Sequence, residues 1–399
     1  MPVRVRAHVL LLLLLAGFAP APPIAPGAVA PVSRLAPDSA RQWVPFTLTP
    51  GNQVRFTAML DGKPVTAILD TGLSTSVLSR DYVRTAGLRV AQKGNATVIG
   101  GMVPIGWAAT RSLSLGGLTR RGGEIAVADI PALAAGGGQS IDLLVGPDLL
   151  KGYALDIDYP AGRFRLLPSG QLPFRGASAP LGISPATNVY LTDGTLGGRR
   201  LHPLVVDTGD GSMLTVSHRA WQAAEPDPPP MTTATSYGLG GAVVTGLAIV
   251  PELRLGDLVA RRIEVRVEPP GGFSEAIGVE GRIGTGLMQR YRVLLDPGAG
   301  RMVLAPGPDA DQPPVRSTSG LLLGFEGDRL RVMHVMRGSP AAAQGWKDGE
   351  TICTIDGRPI PRDYPDNALS GWSVGAPGRV VALGLCRGAT RHLTLRNFY

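Results

Sequence analysis

The triplet Asp-Thr-Gly occurs twice in this chain of 399 residues, at 70–72 and at 207–209. Each triplet directly follows an aliphatic run, at 67–69 and at 204–206, and such a run predicts a buried strand. Because glycine permits a sharp backbone turn, each aspartate is expected to emerge at the end of its strand. Two carboxylates in matching contexts predict a paired-acid site.

The sequence around the two triplets is duplicated. An alternating strand with an Asp-Gly turn precedes each triplet, at 54–65 and 189–194, and a second glycine-ending segment follows, at Gly146 and Gly284. The two aspartates are 137 residues apart and these two glycines are 138 apart, so one residue has been inserted, most simply Gly211. Only two copies are present and their period exceeds that of stacked repeats, which predicts two lobes rather than a solenoid.

Both halves resemble the lobes of aspartic proteases, closest to the retropepsin-like branch. The resemblance rests on the triplets, on the glycine-ending segments 143–146 and 281–284, and on two glycine-rich hairpins that resemble substrate-covering flaps. We call these hairpins flap 1 (99–104) and flap 2 (238–243). The resemblance implies an all-β, two-lobed fold of duplicated β-barrel-like lobes, with lobe 1 at 42–168 and lobe 2 at 181–306.

The resemblance implies that Asp70 and Asp207 are the catalytic residues of an aspartic endopeptidase. Two carboxyl groups about 3 Å apart cannot both ionise, so they share one proton and together activate a water molecule against a peptide bond. The proton belongs to the pair, so the roles of acid and base stay unassigned. This chemistry predicts a protein or peptide substrate and needs neither a cofactor nor a metal.

Other residues of the triplets and flaps have structural roles in this interpretation. Thr71 and Thr208 are expected to cross-brace the two active loops by hydrogen bonds. Gly72 and Gly209 are expected to permit a tight backbone approach in the active loops. Gly100, Gly101, Gly240 and Gly241 are the flap glycines that the resemblance implies.

The residues after the triplets depart from the pattern of many relatives, which have Ser, Thr or Ala there. Leu73 cannot donate a hydrogen bond to a carboxylate, and Asp210 adds a third acid. If Asp210 faces inward, it is expected to disfavour ionisation of the pair and to shift the pH optimum upward. The alternative is that Asp210 points to solvent.

Other polar residues receive structural interpretations. Asp156, Asp158 and Asp296 alternate with or follow aliphatic residues and are expected to fix turns. The five histidines are dispersed without metal-ligand spacing. The net charge of +8 comes from scattered arginines, which does not amount to a nucleic-acid footprint.

After a linker at 307–318, residues 319–399 resemble a bacterial PDZ domain, a small β-sandwich with helices. Such a domain binds the C-terminal peptide of a ligand as an added strand, with loop amides holding the carboxylate. That loop is either 320–323 or 322–325, and the peptide-binding residues are placed at Leu323, Gly324 and Phe325. The alternative is a groove filled by the protein's own chain, with a packing role only.

The first 30 residues predict a signal peptide or an N-terminal anchor followed by an Ala/Pro-rich tail. Arg4 and Arg6 precede the apolar segment 9–16, which is too short to span a membrane. The chain is therefore expected to be exported to the periplasm or cell envelope, and an uncleaved anchor stays open. In that oxidising setting Cys353 and Cys386 could pair.

Together these features predict a monomeric aspartic endopeptidase whose PDZ domain recruits or regulates. The alternative is a non-catalytic scaffold that captures extended peptides in the cleft and in the PDZ groove. Two aspartates at matching strand ends favour the enzyme, because a binding cleft would not require them.

Overall fold

The computed structural model describes residues 30–134, 140–364 and 367–399. The predicted signal peptide or anchor, except for Ala30, lies outside these residues. Within the described ranges, no helix has the length and apolar character needed to cross a membrane.

Strands dominate the N-terminal part of the chain, and the only helices described there are short. Its elements are β1 (Val32–Leu35), β2 (Val44–Pro45), β3 (Thr47–Leu48), β4 (Val54–Leu60), β5 (Lys63–Leu69), β6 (Val77–Ser79), α1 (Arg80–Ala86), β7 (Val90–Val98), β8 (Gly101–Ala109), β9 (Ser112–Leu115), β10 (Leu118–Arg121), β11 (Glu124–Ala128), β12 (Leu143–Val145), α2 (Pro147–Leu150), β13 (Tyr153–Asp158) and β14 (Arg163–Pro168), with a 3₁₀ helix at Ser39–Arg41.

The middle part repeats this order. Its elements are β15 (Ala177–Pro180), β16 (Gly182–Ile183), β17 (Tyr190–Leu196), β18 (Arg199–Asp207), β19 (Leu214–Val216), α3 (His218–Ala224), β20 (Thr232–Gly238), β21 (Gly241–Leu255), β22 (Leu258–Val267), α4 (Phe273–Ala276), β23 (Gly281–Gly284), α5 (Thr285–Met288), β24 (Tyr291–Asp296) and β25 (Arg301–Pro306), with a 3₁₀ helix at Pro297–Ala299.

The C-terminal part forms a separate small sheet. Its elements are β26 (Leu321–Phe325), β27 (Leu330–Val335), α6 (Pro340–Ala343), β28 (Thr351–Ile355), β29 (Arg358–Pro359), β30 (Val380–Leu385) and β31 (Thr390–Thr394), with a 3₁₀ helix at Ala368–Val374. The prediction of an all-β fold is confirmed.

The first and third sheets have the same central pairing. In the first sheet, β5 pairs in parallel with β12 and β6 pairs in parallel with β11. In the third, β18 pairs in parallel with β23 and β19 pairs in parallel with β22. Ser79 and Ser217 then accept the N-cap hydrogen bonds of α1 and α3, so the two halves also match at this cap.

A second sheet joins the two halves. Its order is β15-β25-β24-β13-β14-β2, so adjacent strands β24 and β13 come from different lobes. Asp156 lies at this junction, where it is fully buried and accepts hydrogen bonds from Arg165 and Arg292 at 2.9 and 2.8 Å. Asp156 was predicted to fix a turn, but it binds two arginines instead. Burial of a charge requires partners, and two arginines supply them.

Asp158 and Asp296 do fix turns, as expected from their positions at strand ends. The backbone N–H of Ala161 donates to Asp158 at 3.3 Å, and that of Ala299 donates to Asp296 at 3.2 Å.

The C-terminal part contacts lobe 2 at the base of flap 2. Thr233 on β20 shares a 2.8 Å hydrogen bond with His334 on β27, and Thr232 donates to the carbonyl of Arg337 at 2.7 Å. Leu247 packs with Met336 and Tyr399 beside these bonds. Cys353 on β28 and Cys386 after β30 form a disulfide, the pairing that the sequence left open.

Candidate active site

Asp70 and Asp207 meet at the interface between the lobes. Asp70 directly follows β5 and Asp207 ends β18, each a strand whose last aliphatic residues are buried. A Cβ added to Gly72 would lie 2.3 Å from Cγ of Asp207, and one added to Gly209 would lie 2.4 Å from Cγ of Asp70. Only glycine leaves room for this approach, so each loop holds its neighbour's carboxyl group against its own backbone.

The two threonines of the triplets brace the loops across the interface. The hydroxyl of Thr71 donates to the carbonyl of Val206 at 2.6 Å, and the hydroxyl of Thr208 donates to the carbonyl of Leu69 at 2.9 Å. Each hydroxyl also accepts the backbone N–H of the other threonine at 3.0 Å. Both side chains are fully buried, so these four bonds fix the relative position of the aspartates.

The two carboxyl groups lie close enough to influence each other's ionisation, and adjacent carboxyl groups favour a shared proton. Burial raises the pKa of Asp70 well above its usual value, and the charge of Asp207 adds to this rise. Burial likewise raises the pKa of Asp207, to about 6, with a further contribution from Asp210. Both shifts favour retention of a proton by the pair, which is the direction that the shared-proton chemistry requires.

The aspartates have unequal surroundings. Asp70 accepts one backbone N–H, from Gly72 at 3.1 Å. Asp207 accepts two, from Gly209 at 2.9 Å and from Asp210 at 3.1 Å, and its Oδ2 lies 3.7 Å from Nε of Arg282. Donors and a nearby cation favour the charged form, so the negative charge of the pair resides mainly on Asp207.

Asp210 belongs to a buried group that we call the lobe 2 ion cluster (Asp210, Glu268 and Arg282). Nε of Arg282 donates to Asp210 at 3.2 Å, and its Nη1 donates to Glu268 at 2.7 Å. Burial opposes ionisation of Asp210, but Arg282 and the N–H of Ser212 outweigh it and lower the pKa of Asp210. Asp210 thus faces inward and is charged, and its alternative orientation toward solvent does not occur.

Arg282, the centre of this cluster, was not among the residues predicted from the sequence. The signal was present in the duplication: the parallel pairing aligns Arg282 with Leu144, and Asp210 follows its triplet as Leu73 follows the other. Leu73 and Leu144 pack in one apolar cluster, and their lobe 2 equivalents carry opposite charges. Such a paired replacement indicates an ion pair. Arg282 is only 3% exposed, and its two partner carboxylates raise its pKa against the effect of burial.

The flap glycines lie where the tips of the two hairpins touch. Flap 1 connects β7 to β8 and flap 2 connects β20 to β21. The N–H of Gly240 donates to the carbonyl of Ile99 at 3.0 Å, and a Cβ on Gly100 would lie 2.6 Å from the carbonyl carbon of Gly240. Gly101 and Gly241 are the first residues of β8 and β21. Their φ values of 130° and 114° lie in the region that favours glycine.

A cavity of about 740 Å³ lies between the dyad and the flaps. Asp70, Asp207 and Asp210 line its floor, and Ile99 and Leu239 from the two flaps line it as well. This volume is within the range of sites that enclose small ligands or side chains. No group of residues able to hold a metal ion occurs within 30–134, 140–364 and 367–399.

The peptide-binding residues expected in the C-terminal part lie within a strand. Leu323, Gly324 and Phe325 form the second half of β26, which is at the edge of its sheet. The loop that precedes this strand is at 317–320, where Ser317 and Ser319 accept the N–H groups of Gly320 and Leu321 at 2.9 and 3.2 Å.

Comparison with known proteins places the match in lobe 1. The family model described as aspartyl protease matches residues 56–149, a segment that contains Asp70, flap 1 and the glycine-ending segment at Gly146. No similar protein was found among the curated proteins. The match supports aspartic-type protease activity for the chain.

Proposed function

We propose that the protein is an aspartic endopeptidase in which Asp70 and Asp207 act as one dyad. The observation that carries this proposal is that each carboxyl group lies against the glycine of the opposite triplet, at a cavity that residues of both flaps also line. A binding protein would gain nothing from two acids held together at the cost of burial, whereas acid–base catalysis requires one protonated and one ionised group.

The unequal surroundings support a division of roles within the pair. Asp207 carries the charge and takes a proton from a water molecule, whose oxygen attacks the peptide carbonyl carbon. Asp70 carries the proton and donates it to the developing oxyanion. The tetrahedral intermediate then breaks its C–N bond as a proton passes to the leaving nitrogen, which yields a carboxylic acid and an amine without a covalent enzyme intermediate.

Cleavage of an unfolded protein tests this proposal. Asp70→Asn and Asp207→Asn keep the size of each side chain but remove the shared proton chemistry, so each should lower kcat/KM by about 10²- to 10⁴-fold or more. Folding of both variants is checked by circular dichroism. Full activity in either variant would rule out the dyad and would favour a peptide-binding scaffold.

We further propose that residues 319–399 form a PDZ domain that binds a peptide at β26. The edge position of β26 supports this, because an edge strand offers unpaired backbone groups to an added strand. A labelled peptide with a free C-terminal carboxylate should bind the full chain more tightly than its C-terminally amidated form. Equal binding of the two peptides would contradict carboxylate recognition.

Export to an oxidising compartment and a monomeric state complete the proposal. The disulfide between Cys353 and Cys386 supports export, because such bonds persist in oxidising environments. A single chain already supplies both aspartates and both flaps, which supports a monomer. Fractionation of cells into cytoplasm and periplasm would test export, and native mass determination of the purified protein would test the monomeric state.

A further inference from the structure

The two lobes present different surfaces to the substrate on the two sides of the dyad. The register of the parallel strand pairs makes this comparison residue by residue. Val77 pairs with Ala126 in lobe 1, and Thr215 pairs with Arg266 in lobe 2. Two residues further along β11 and past the end of β22, the same alignment relates Ala128 to Glu268.

Lobe 1 has apolar residues at all five positions of this set, whereas lobe 2 has polar or charged residues at all five. The lobe 1 residues are Leu73, Val77, Ala126, Ala128 and Leu144; their lobe 2 equivalents are, in the same order, Asp210, Thr215, Arg266, Glu268 and Arg282.

The lobe 1 set is open to the cavity. All five of its residues line the cavity, and Ile105 and Trp107 extend the apolar wall. Leu239 at the tip of flap 2 crosses over and packs against this group. We call this space the lobe 1 pocket. An apolar space of this kind, beside the reacting carboxyl groups, favours burial of an apolar side chain.

The equivalent space in lobe 2 is filled by the ion cluster. Arg282 and Glu268 are 3% and 4% exposed, and neither lines the cavity. The Nη1 of Arg282 also donates to the hydroxyl of Ser274 at 3.0 Å, and its guanidinium lies 5.3 Å from the ring centre of Phe273. To admit a large apolar side chain, the cluster would have to separate buried charges, which is costly.

Resting on the proposed endopeptidase function, we infer that the enzyme selects substrates on one side of the scissile bond only: a large aliphatic or aromatic residue enters the lobe 1 pocket, and a small or polar residue faces the lobe 2 ion cluster. The substrate class is therefore a peptide segment in which an apolar residue adjoins a small or polar one. Lobe 1 determines the specificity, and lobe 2 limits the size of what is accepted.

Mapping of cleavage sites in a mixture of unfolded proteins tests the inference. Large apolar residues should be enriched at one of the two positions that flank the cut and not at the other. In a matched peptide series, replacing Phe with Ala at that position should lower kcat/KM by about 10- to 200-fold. Equal enrichment on both sides, or on neither, would overturn the inference while leaving the dyad intact.

Two variants test the assignment to the lobe 1 pocket. Ala128→Leu fills the pocket and Leu239→Ala removes its cover, so each should reduce the ratio of kcat/KM for Phe and Ala peptides by at least about tenfold. Leu239 lies half-buried at a hairpin tip, so the Leu239→Ala variant is expected to fold even if the Ala128→Leu variant does not. Ala161→Leu adds the same side chain at an exposed turn outside the cavity and should leave the ratio unchanged.

Binding to the Asp70→Asn variant separates this inference from the proposed function. If the wild type cleaves nothing, the proposed function fails, but the Phe peptide should still bind this variant more tightly than the Ala peptide. An unchanged ratio in both pocket variants, or equal binding of the two peptides, would overturn the one-sided selection.

Discussion

Lobe 1 and lobe 2 have the same strand pairing but differ next to the dyad. In lobe 1, Leu73 and Leu144 belong to one apolar cluster. In lobe 2, the equivalent residues are Asp210 and Arg282, which form a buried ion pair. Duplication preserved the backbone and the braced aspartates, while the surroundings of the two carboxyl groups diverged. The comparison shows that a pseudo-symmetric frame can hold two acids in chemically different environments.

In the proposed mechanism, this difference gives the two aspartates unequal roles although their loops are symmetric. Thr71 and Thr208 make the same bonds, so the braces do not distinguish Asp70 from Asp207. The additional N–H from Asp210 and the nearby Arg282 do distinguish them. Four sets of variants can break or sharpen this comparison.

The largest expected effect comes from Arg282→Leu, which gives lobe 2 the residue type of Leu144. It leaves Asp210 and Glu268 buried without their cation, so the free energy of unfolding should fall by about 3–5 kcal/mol. Denaturant titration measures the loss. The triple variant Asp210→Leu, Glu268→Ala and Arg282→Leu replaces the whole cluster with its lobe 1 equivalents. It should be more stable than Arg282→Leu alone. Lower stability of the triple variant would contradict the role of Arg282 as the cation that the cluster needs.

The next effect is a gain of stability in Asp207→Asn. The pKa of Asp207 is about 6 when folded and 3.8 in its reference state, so the folded form binds more protons and loses stability as the pH rises between these values. At pH 7 the loss amounts to about 3 kcal/mol, which asparagine avoids. Unfolding of both proteins at pH 4 and pH 7.5 should show the variant gaining relative to the wild type at the higher pH. The absence of such a gain would mean that burial does not raise the pKa of Asp207.

A smaller, symmetric effect is expected for Thr71→Val and Thr208→Val. Each change leaves a buried carbonyl and a buried N–H without a partner, at a cost of about 1–3 kcal/mol. Because the four bonds are arranged as equivalent pairs, the two variants should lose similar stability and similar activity. Thermal unfolding and peptide cleavage measure both. A large difference between them would show that the lobes are braced unequally, contrary to the observed geometry.

The smallest effect is on the pH profile of Asp210→Asn. Asp210 raises the pKa of Asp207, so removing its charge should move the acidic limb of kcat/KM to lower pH. The profile is measured with one peptide between pH 3 and pH 9. Leu73→Asn, which changes the equivalent residue of lobe 1 without removing a charge, serves as the matched control and should leave that limb in place. An acidic limb unmoved by Asp210→Asn would separate Asp210 from the dyad.

Much of the site was predictable because its residues recur at a fixed spacing. The two triplets placed Asp70 and Asp207 at strand ends, and the structure brings them together there. The threonine braces form as the sequence predicted, and the flap glycines lie in hairpins as predicted. These features depend on local backbone geometry, which a short motif specifies.

The remaining features depend on contacts between distant segments. Asp210 and Arg282 are 72 residues apart, and their pairing follows from the crossing of β23 beneath the loop at Asp210. Asp156 was expected to fix a turn but bridges the lobes to Arg292, 136 residues away. The local sequence around Asp210 or Asp156 does not specify a partner so far away in the chain. Comparison of the two halves could have found Arg282, because both members of its pair differ from lobe 1 together.

The most direct test of the central claim, that the two lobes of one chain make one site, is a mixing experiment. Wild type, Asp70→Asn, Asp207→Asn and an equimolar mixture of the two variants are assayed on the same unfolded protein at pH 7. The account predicts cleavage by the wild type and none by either variant or by their mixture, because each chain lacks one half of its own dyad. Activity retained by a single variant, or restored in the mixture, would show that the catalytic site is assembled differently and would contradict the claim.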